Sequence, residues 1–155
     1  SLSAWCAGLA NPAGHKETFE MYEDAHRYLD GHKVNPANDV LTIEALDGPG
    51  PGGASHHYFV TGFDVSKNPV LGMRPPVDGA SVIFQHGPIN EAGVNGLTHE
   101  ALLAILIDRL EAFQRGPYSN DYNAAALAHL QSAQGALLDR TRERMARNVE
   151  GTHAQ

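Results

Sequence analysis

Two apolar stripes of helical period, separated by Gly116-Pro117, fill about the last seventy residues and constrain the fold more than any other feature. The first comprises Leu102, Leu103, Ile105, Leu106, Ile107, Leu110 and Phe113. The second runs through Leu127, Leu130, Gln134, Leu137 or Leu138, Thr141 and Met145, flanked by small Ala124, Ala126, Ala133 and Ala136. Thr98 is placed to cap a helix predicted from about His99 to Gln114, with Glu100 favourable in the first turn. Gly116-Pro117 ends it, and Ser119 or Asn120 caps a second helix reaching about Asn148. A connection this short makes the pair antiparallel. At about 1.5 Å of rise per residue, the level of Thr98 on the second helix falls near position 137. Arg140 is therefore expected beside the start of the first helix, with Arg144 and Arg147 projecting beyond it. The first helix is apolar on more sides than one partner covers, which predicts a homo-oligomer.

Upstream the pattern is shorter in period and broken by Gly and Pro. Residues 1–14 are small and punctuated. Phe19, Tyr22, His26 and Leu29 are spaced three or four apart, predicting a surface helix over His15–Leu29 with Gly31 as its C-terminal stop. Strands are predicted over 40–46, 57–63 and 80–85, the last two paired as a long-looped hairpin. Asp47-Gly48-Pro49-Gly50-Pro51-Gly52-Gly53 is a loop, because Pro removes donors and Gly maximises chain entropy. The expected class is α+β: an N-terminal helix and a two- or three-stranded β segment, followed by a C-terminal antiparallel helical hairpin. We divide the 155 residues into a poorly defined segment, 1–79, and a strand-plus-hairpin unit, 80–155.

Composition excludes several classes of function. A net charge of −7 opposes binding of duplex nucleic acid, which needs a basic surface, yet allows a local anion pocket. The single cysteine, Cys6, forms no internal disulfide and fits a reducing compartment. No apolar run approaches the roughly 20 residues of a membrane helix. Leu2–Ala10 lacks the basic flank of a signal peptide, and the chain begins at Ser1. A cytoplasmic protein is expected, in the bacterial host cytoplasm if phage-encoded. The nine histidines show no metal-ligand spacing: adjacent His56 and His57 on a strand point to opposite faces, and His99, His129 and His153 are too far apart. No phosphate-cradling Gly-Lys-Ser/Thr loop, nucleophile elbow or carboxylate pair appears. Neither catalysis nor a cofactor is expected.

The residues that point to binding lie at one end of the hairpin. Arg140, Arg144 and Arg147 follow i, i+4, i+7 spacing on one helix face, and Arg suits bidentate phosphate contact. The N–H groups at the other helix's start, near Asn95 and Thr98, attract anions. A phosphate-bearing small ligand held by Asn95, Thr98, Arg140, Arg144 and Arg147 is the expectation. The same residues also suit a plain capping turn, with basic side chains complementing a helix C-terminus and Glu143–Arg147 forming a surface pair. Arg109 and Asp108, mid-helix among aliphatics, are expected in an intrahelical or intersubunit ion pair.

At these residues a family likeness appears. Phe84-Gln85-x-Gly87-Pro88-Ile89, Gly93-Val94-Asn95-Gly96, Ile107-Asp108-Arg109-Leu110, Phe113-Gln114-x-Gly116-Pro117 and Val149-Glu150-Gly151-Thr152-His153 together resemble a group of phage-associated proteins with a C-terminal helical hairpin. Through Ala128-His129-Leu130-Gln131 and Arg140, the hairpin is similar to that of phage anti-CBASS and anti-Thoeris sponge proteins. The likeness covers about 82–153 and implies an oligomer that sequesters cyclic-nucleotide immune signals without hydrolysing them. It further implies that basic residues of the hairpin meet ligand phosphates at a subunit junction; here Arg140 and its neighbours fit. The family's compact members carry an aromatic just before the first helix, where this chain has Val94-Asn95-Gly96. The leading functional reading is thus a phage sponge for cyclic oligonucleotides. The alternative is a phage accessory protein whose hairpin only oligomerises. A third, a nucleic-acid-associated regulator, is opposed by the net charge.

Overall fold

A computed structural model describes residues 26–71 and 79–147. Four short strands form one antiparallel sheet in chain order: β1 (Arg27–Leu29), β2 (Thr42–Ala45), β3 (His57–Thr61) and β4 (Ala80–Ile83). The register aligns Arg27, Ala45, Tyr58 and Val82 across the sheet, then Tyr28, Glu44, Phe59 and Ser81, then Leu29, Ile43, Val60 and Ala80. Because side chains alternate along a strand, the first and third rows share one face and the second takes the other. The apolar first face turns toward the hairpin. The opposite face carries Glu44, bonded to His26 at 2.7 Å, and the His57–Ser81 contact at 3.3 Å.

The sheet has four strands, one more than the sequence predicted, and the extra strand comes from the predicted N-terminal helix. Arg27–Leu29 is β1 instead of a last helical turn, and Gly31 lies in a turn closed by Lys33 N–H donating to Asp30 O at 3.0 Å. The remainder of that predicted helix, 15–25, lies outside the described residues. Pairing with β2 gives Arg27–Leu29 backbone partners and puts Leu29 beside Ile43, a tertiary gain that outweighs a weak helical period. A four-residue helix, α1 (Pro36–Asp39), fills the β1–β2 connection, capped by Asn35 and started by Pro36. The predicted loop 47–53 includes a single 3₁₀ turn, Pro51–Gly53, in which Gly52 and Gly53 take φ of 77° and 73°. Gly62, at φ 94°, turns the chain after β3 so close to Val40 that a Cβ there would stand 1.9 Å from its carbonyl oxygen.

The hairpin follows the sequence closely. After a short helix α2 (Ile89–Ala92), α3 spans His99–Arg115 and α4 spans Asp121–Ala146. Thr98 Oγ1 accepts from Ala101 N–H at 3.2 Å, and Asn120 Oδ1 accepts from Asn123 N–H at 2.8 Å, so both predicted caps are present. At about 1.5 Å per residue, α4 is some 13 Å longer than α3 and overhangs it. The less exposed positions of α4 are Asn123, Leu127, Leu130, Gln134, Gly135, Leu137, Thr141 and Arg144, which defines its inner seam; Met145, placed there from sequence, is exposed. Ile107 is the one buried residue of α3, at 8% exposure. Arg109 lies over the Phe113 ring at 5.6 Å, a cation–π contact within its own helix.

Among the described residues only Ala45, Ile107 and Ser55 are buried, and no large apolar side chain is fully enclosed. Ile105, Leu106, Phe113, Leu138 and Met145 all remain exposed on the hairpin.

Candidate binding cleft at the sheet–hairpin junction

The phrase before α3 is a staple between sheet and hairpin. Beyond β4 the chain makes a parallel bridge to its own later course, Phe84 beside Leu97. Leu97 N–H donates to Ile83 O at 2.7 Å, and Gln85 N–H donates to Leu97 O at 2.9 Å. The enclosed loop is held by two side chains. Gln85 donates from Nε2 to Gly93 O (2.8 Å) and Gly87 O (3.2 Å), and its Oε1 accepts from Asn95 N–H at 2.9 Å. Asn95 accepts from His86 N–H at 2.9 Å and donates to His86 O at 2.8 Å. Gly96 is required by the close approach: a Cβ there would lie 2.3 Å from the Phe84 carbonyl carbon.

This staple leaves a cleft of about 980 Å³ between the apolar face of the sheet and the open end of the hairpin. The sheet contributes Ile43, Tyr58, Val60, Val82 and Phe84, and the Pro51-Gly52 turn and His56 form a rim. The hairpin contributes Thr98, His99, Glu100, Leu102, Leu138, Arg140 and Thr141. Aromatic rings line it in sequence: Tyr58 meets Phe84 edge-on at 5.8 Å, and Phe84 lies 5.2 Å from His99 with the planes tilted 35°. At the rim, the His56 and His86 rings are 4.7 Å apart.

Of the residues expected to bind a ligand, the fold brings Thr98 and Arg140 to this cleft. Arg140 Nη2 lies 3.8 Å from Glu100 Oε1, the juxtaposition expected from helix rise. Arg144 is half-buried one turn further along the inner seam of α4. Arg147 is the C-cap residue, its backbone N–H donating to Glu143 O at 3.1 Å and its Nε 3.8 Å from Glu143 Oε1. Asn95 stands in the staple with its amide engaged on both sides by the His86 backbone. Phe84, Tyr58, His99 and Glu100 also line the cleft and were not singled out as site residues in the sequence. Phe84 had a signal, since it opens the junction phrase, and it supplies an aromatic ring beside the start of α3. Tyr58 had none, because strand register alone decides which face it joins.

A carboxylate organises the rim. Asp47 accepts from His56 N–H at 2.8 Å and His57 N–H at 2.9 Å, and its backbone carbonyl accepts from the Ser55 hydroxyl at 2.9 Å. Burial pushes its pKa up, but the His57 and His56 N–H groups and the nearby His56 ring more than offset this and hold it below its ordinary value. Among the described residues, no group of three or more His, Cys, Asp or Glu is placed to hold a metal ion. A shallower depression of about 550 Å³ at the hairpin turn borders Phe113, Tyr118, Asn120 and Asn123, but both Asn amides donate to Tyr118 O.

Two comparisons with known proteins bear on this half of the chain. Residues 80–141 match the family model described as Acb2/Tad1, hairpin domain. The chain is also similar to Thoeris anti-defense 1 of Bacillus phage SBSphiJ7, at 46% identity over 74 residues, 48% of this chain and 52% of that protein. The chain thus spans about half the length of the curated relative it matches.

Proposed function

We propose that the chain, whose residues 80–141 match the Acb2/Tad1 hairpin domain model, is a phage anti-defense protein of the non-catalytic, sequestering kind. It binds a cyclic nucleotide or a related phosphate-bearing signal of bacterial immunity, as a homo-oligomer, in the host cytoplasm. The observation that carries this reading is the cleft between sheet and hairpin, where Thr98 at the start of α3 and Arg140 near the end of α4 line one wall. Its phosphate donors are Arg140, Arg144 and the Thr98 hydroxyl, with Arg147 further out on the same helix end; the rings of Tyr58, Phe84 and His99 offer a surface on which bases stack. Asn95 acts indirectly, by fixing the loop from which α3 starts. No helix of the described residues is long and apolar enough to cross a membrane.

The test is a thermal-shift screen of the full chain with cyclic di- and trinucleotides and cyclic ADP-ribose isomers. A ligand at 100 times its dissociation constant stabilises by about 2.7 kcal/mol, a rise in Tm of roughly 5–10 °C for a protein of this size. No shift with any of them overturns the reading. The competing reading, a hairpin that only oligomerises, draws on the exposed Ile105 and Leu106 of α3. It expects no shift with any ligand and full tolerance of Arg140→Ala.

A further inference from the structure

The cleft is not built for a phosphate alone. Glu100 stands in its wall with 19% of its side chain exposed, and its partner there is Arg140 at 3.8 Å. That distance is a charge contact and exceeds a hydrogen bond, so among the described residues no protein group donates a hydrogen bond to either carboxylate oxygen. These oxygens stay open to water in the cleft, so a ligand that donates to them takes the place of that water. A phosphate on Arg140 cannot do so; its oxygens carry the same charge as the carboxylate. The adjoining residue on α3, His99, forms a ring pair with Phe84 at 5.2 Å, next to the carboxylate. A flat ring surface beside a carboxylate open to ligand donors and a cation matches the three parts of a nucleotide: a base to stack, donors to accept from, and a phosphate.

We propose that Glu100 is a specificity residue of the cleft, accepting a pair of adjacent N–H or O–H donors from a nucleotide whose phosphate is taken by Arg140. This rests on the cleft being the ligand site argued above. Two nucleotide groups present such a pair, the Watson–Crick edge of guanine and the vicinal diol of ribose. A carboxylate takes either with its two oxygens, and leaving it unpaired is what rejects analogues lacking the donors.

The experiment is a ligand-observed NMR titration of the full chain with GMP, IMP, 2′-deoxy-GMP and inorganic pyrophosphate, for wild type and Glu100→Gln. Wild type should prefer GMP by roughly tenfold or more over one analogue. A loss with IMP assigns the donors to the base, and a loss with 2′-deoxy-GMP assigns them to the sugar. In Glu100→Gln that preference should collapse, while pyrophosphate binds as well or better because Arg140 has lost its counter-charge. Equal wild-type affinities for the three nucleotides overturn the proposal, and so does a Glu100→Gln that weakens every probe by one factor. The wild-type comparison needs no variant, so misfolding of Glu100→Gln does not shield the idea. Binding of pyrophosphate without any nucleotide overturns this proposal while sparing an anion site. No binding of any probe, with no ligand found in the thermal screen, overturns the proposed function and this inference together.

Discussion

Arg140 differs from its neighbours in where its guanidinium ends. Arg142 turns outward to Asp139 at 2.7 Å, and Arg147 lies near Glu143 on the same helix. Arg140 reaches across to the other helix and lines the cleft. A charge-assisted contact from such a residue to phosphate is worth roughly 1.5–3 kcal/mol. Arg140→Ala should therefore weaken ligand binding by about tenfold to a hundredfold in calorimetry. With its side chain 58% exposed, the fold should be unaffected. Arg140→Lys should recover only part, since an ammonium lacks the planar fork of guanidinium. Arg115, paired with Glu111 at the opposite end of α3, is the control, and Arg115→Ala should bind as wild type. Equal damage from both substitutions would show that the site lies elsewhere.

Among the elements, the β2–β3 connection carries a pH dependence. Its Gly/Pro turn offers almost no side-chain packing, and Asp47 organises it by accepting two N–H groups from the start of β3. The folded state holds this carboxyl below its ordinary pKa, so the unfolded chain binds the proton more tightly. The stabilisation is then complete above about pH 4 and is lost as pH falls through the lower, folded value. Urea denaturation from pH 7 to pH 3 should show stability declining at the acid end. Asp47→Asn should lower stability at pH 7 and flatten that decline. An unchanged acid slope in the variant would assign the dependence to other carboxylates.

On the scale of the whole molecule, the hairpin leaves several large apolar side chains exposed. Ile105 and Leu106 are 56% and 49% exposed, whereas Ile107 between α3 and α4 is 8% exposed. These neighbours therefore separate assembly from folding. Leu106→Asp should dissociate the proposed oligomer and leave the helical circular dichroism intact, because the charge reaches water once the partner leaves. Ile107→Asp should unfold the hairpin, since the charge is buried within the chain. Sedimentation velocity alongside circular dichroism distinguishes the two. A wild-type chain that sediments as a monomer at micromolar concentration would count against assembly through this face.

What the sequence determined by itself was everything local in cause. Helical period, the Thr98 cap, a second cap at Ser119 or Asn120, the Gly116-Pro117 stop and the fixed rise per residue were enough to set Arg140 beside the start of α3. Three strands were legible from short β-rich runs between Gly/Pro clusters. Arg27–Leu29 was not, because three residues carry no period of their own and become a strand only by pairing with β2. The cleft was half legible for the same reason. Its hairpin wall follows from helix geometry, but its sheet wall depends on register, which fixes Tyr58 and Phe84 on the inner face. Asn95 adds something the sequence did not carry: the fold brings the His86 backbone to both sides of its amide, so the residue also fixes the loop before α3. Glu100 likewise looked like a residue that favours the helix dipole, and only the packing of α4 against α3 left its carboxylate half-enclosed beside a cation and facing a cleft.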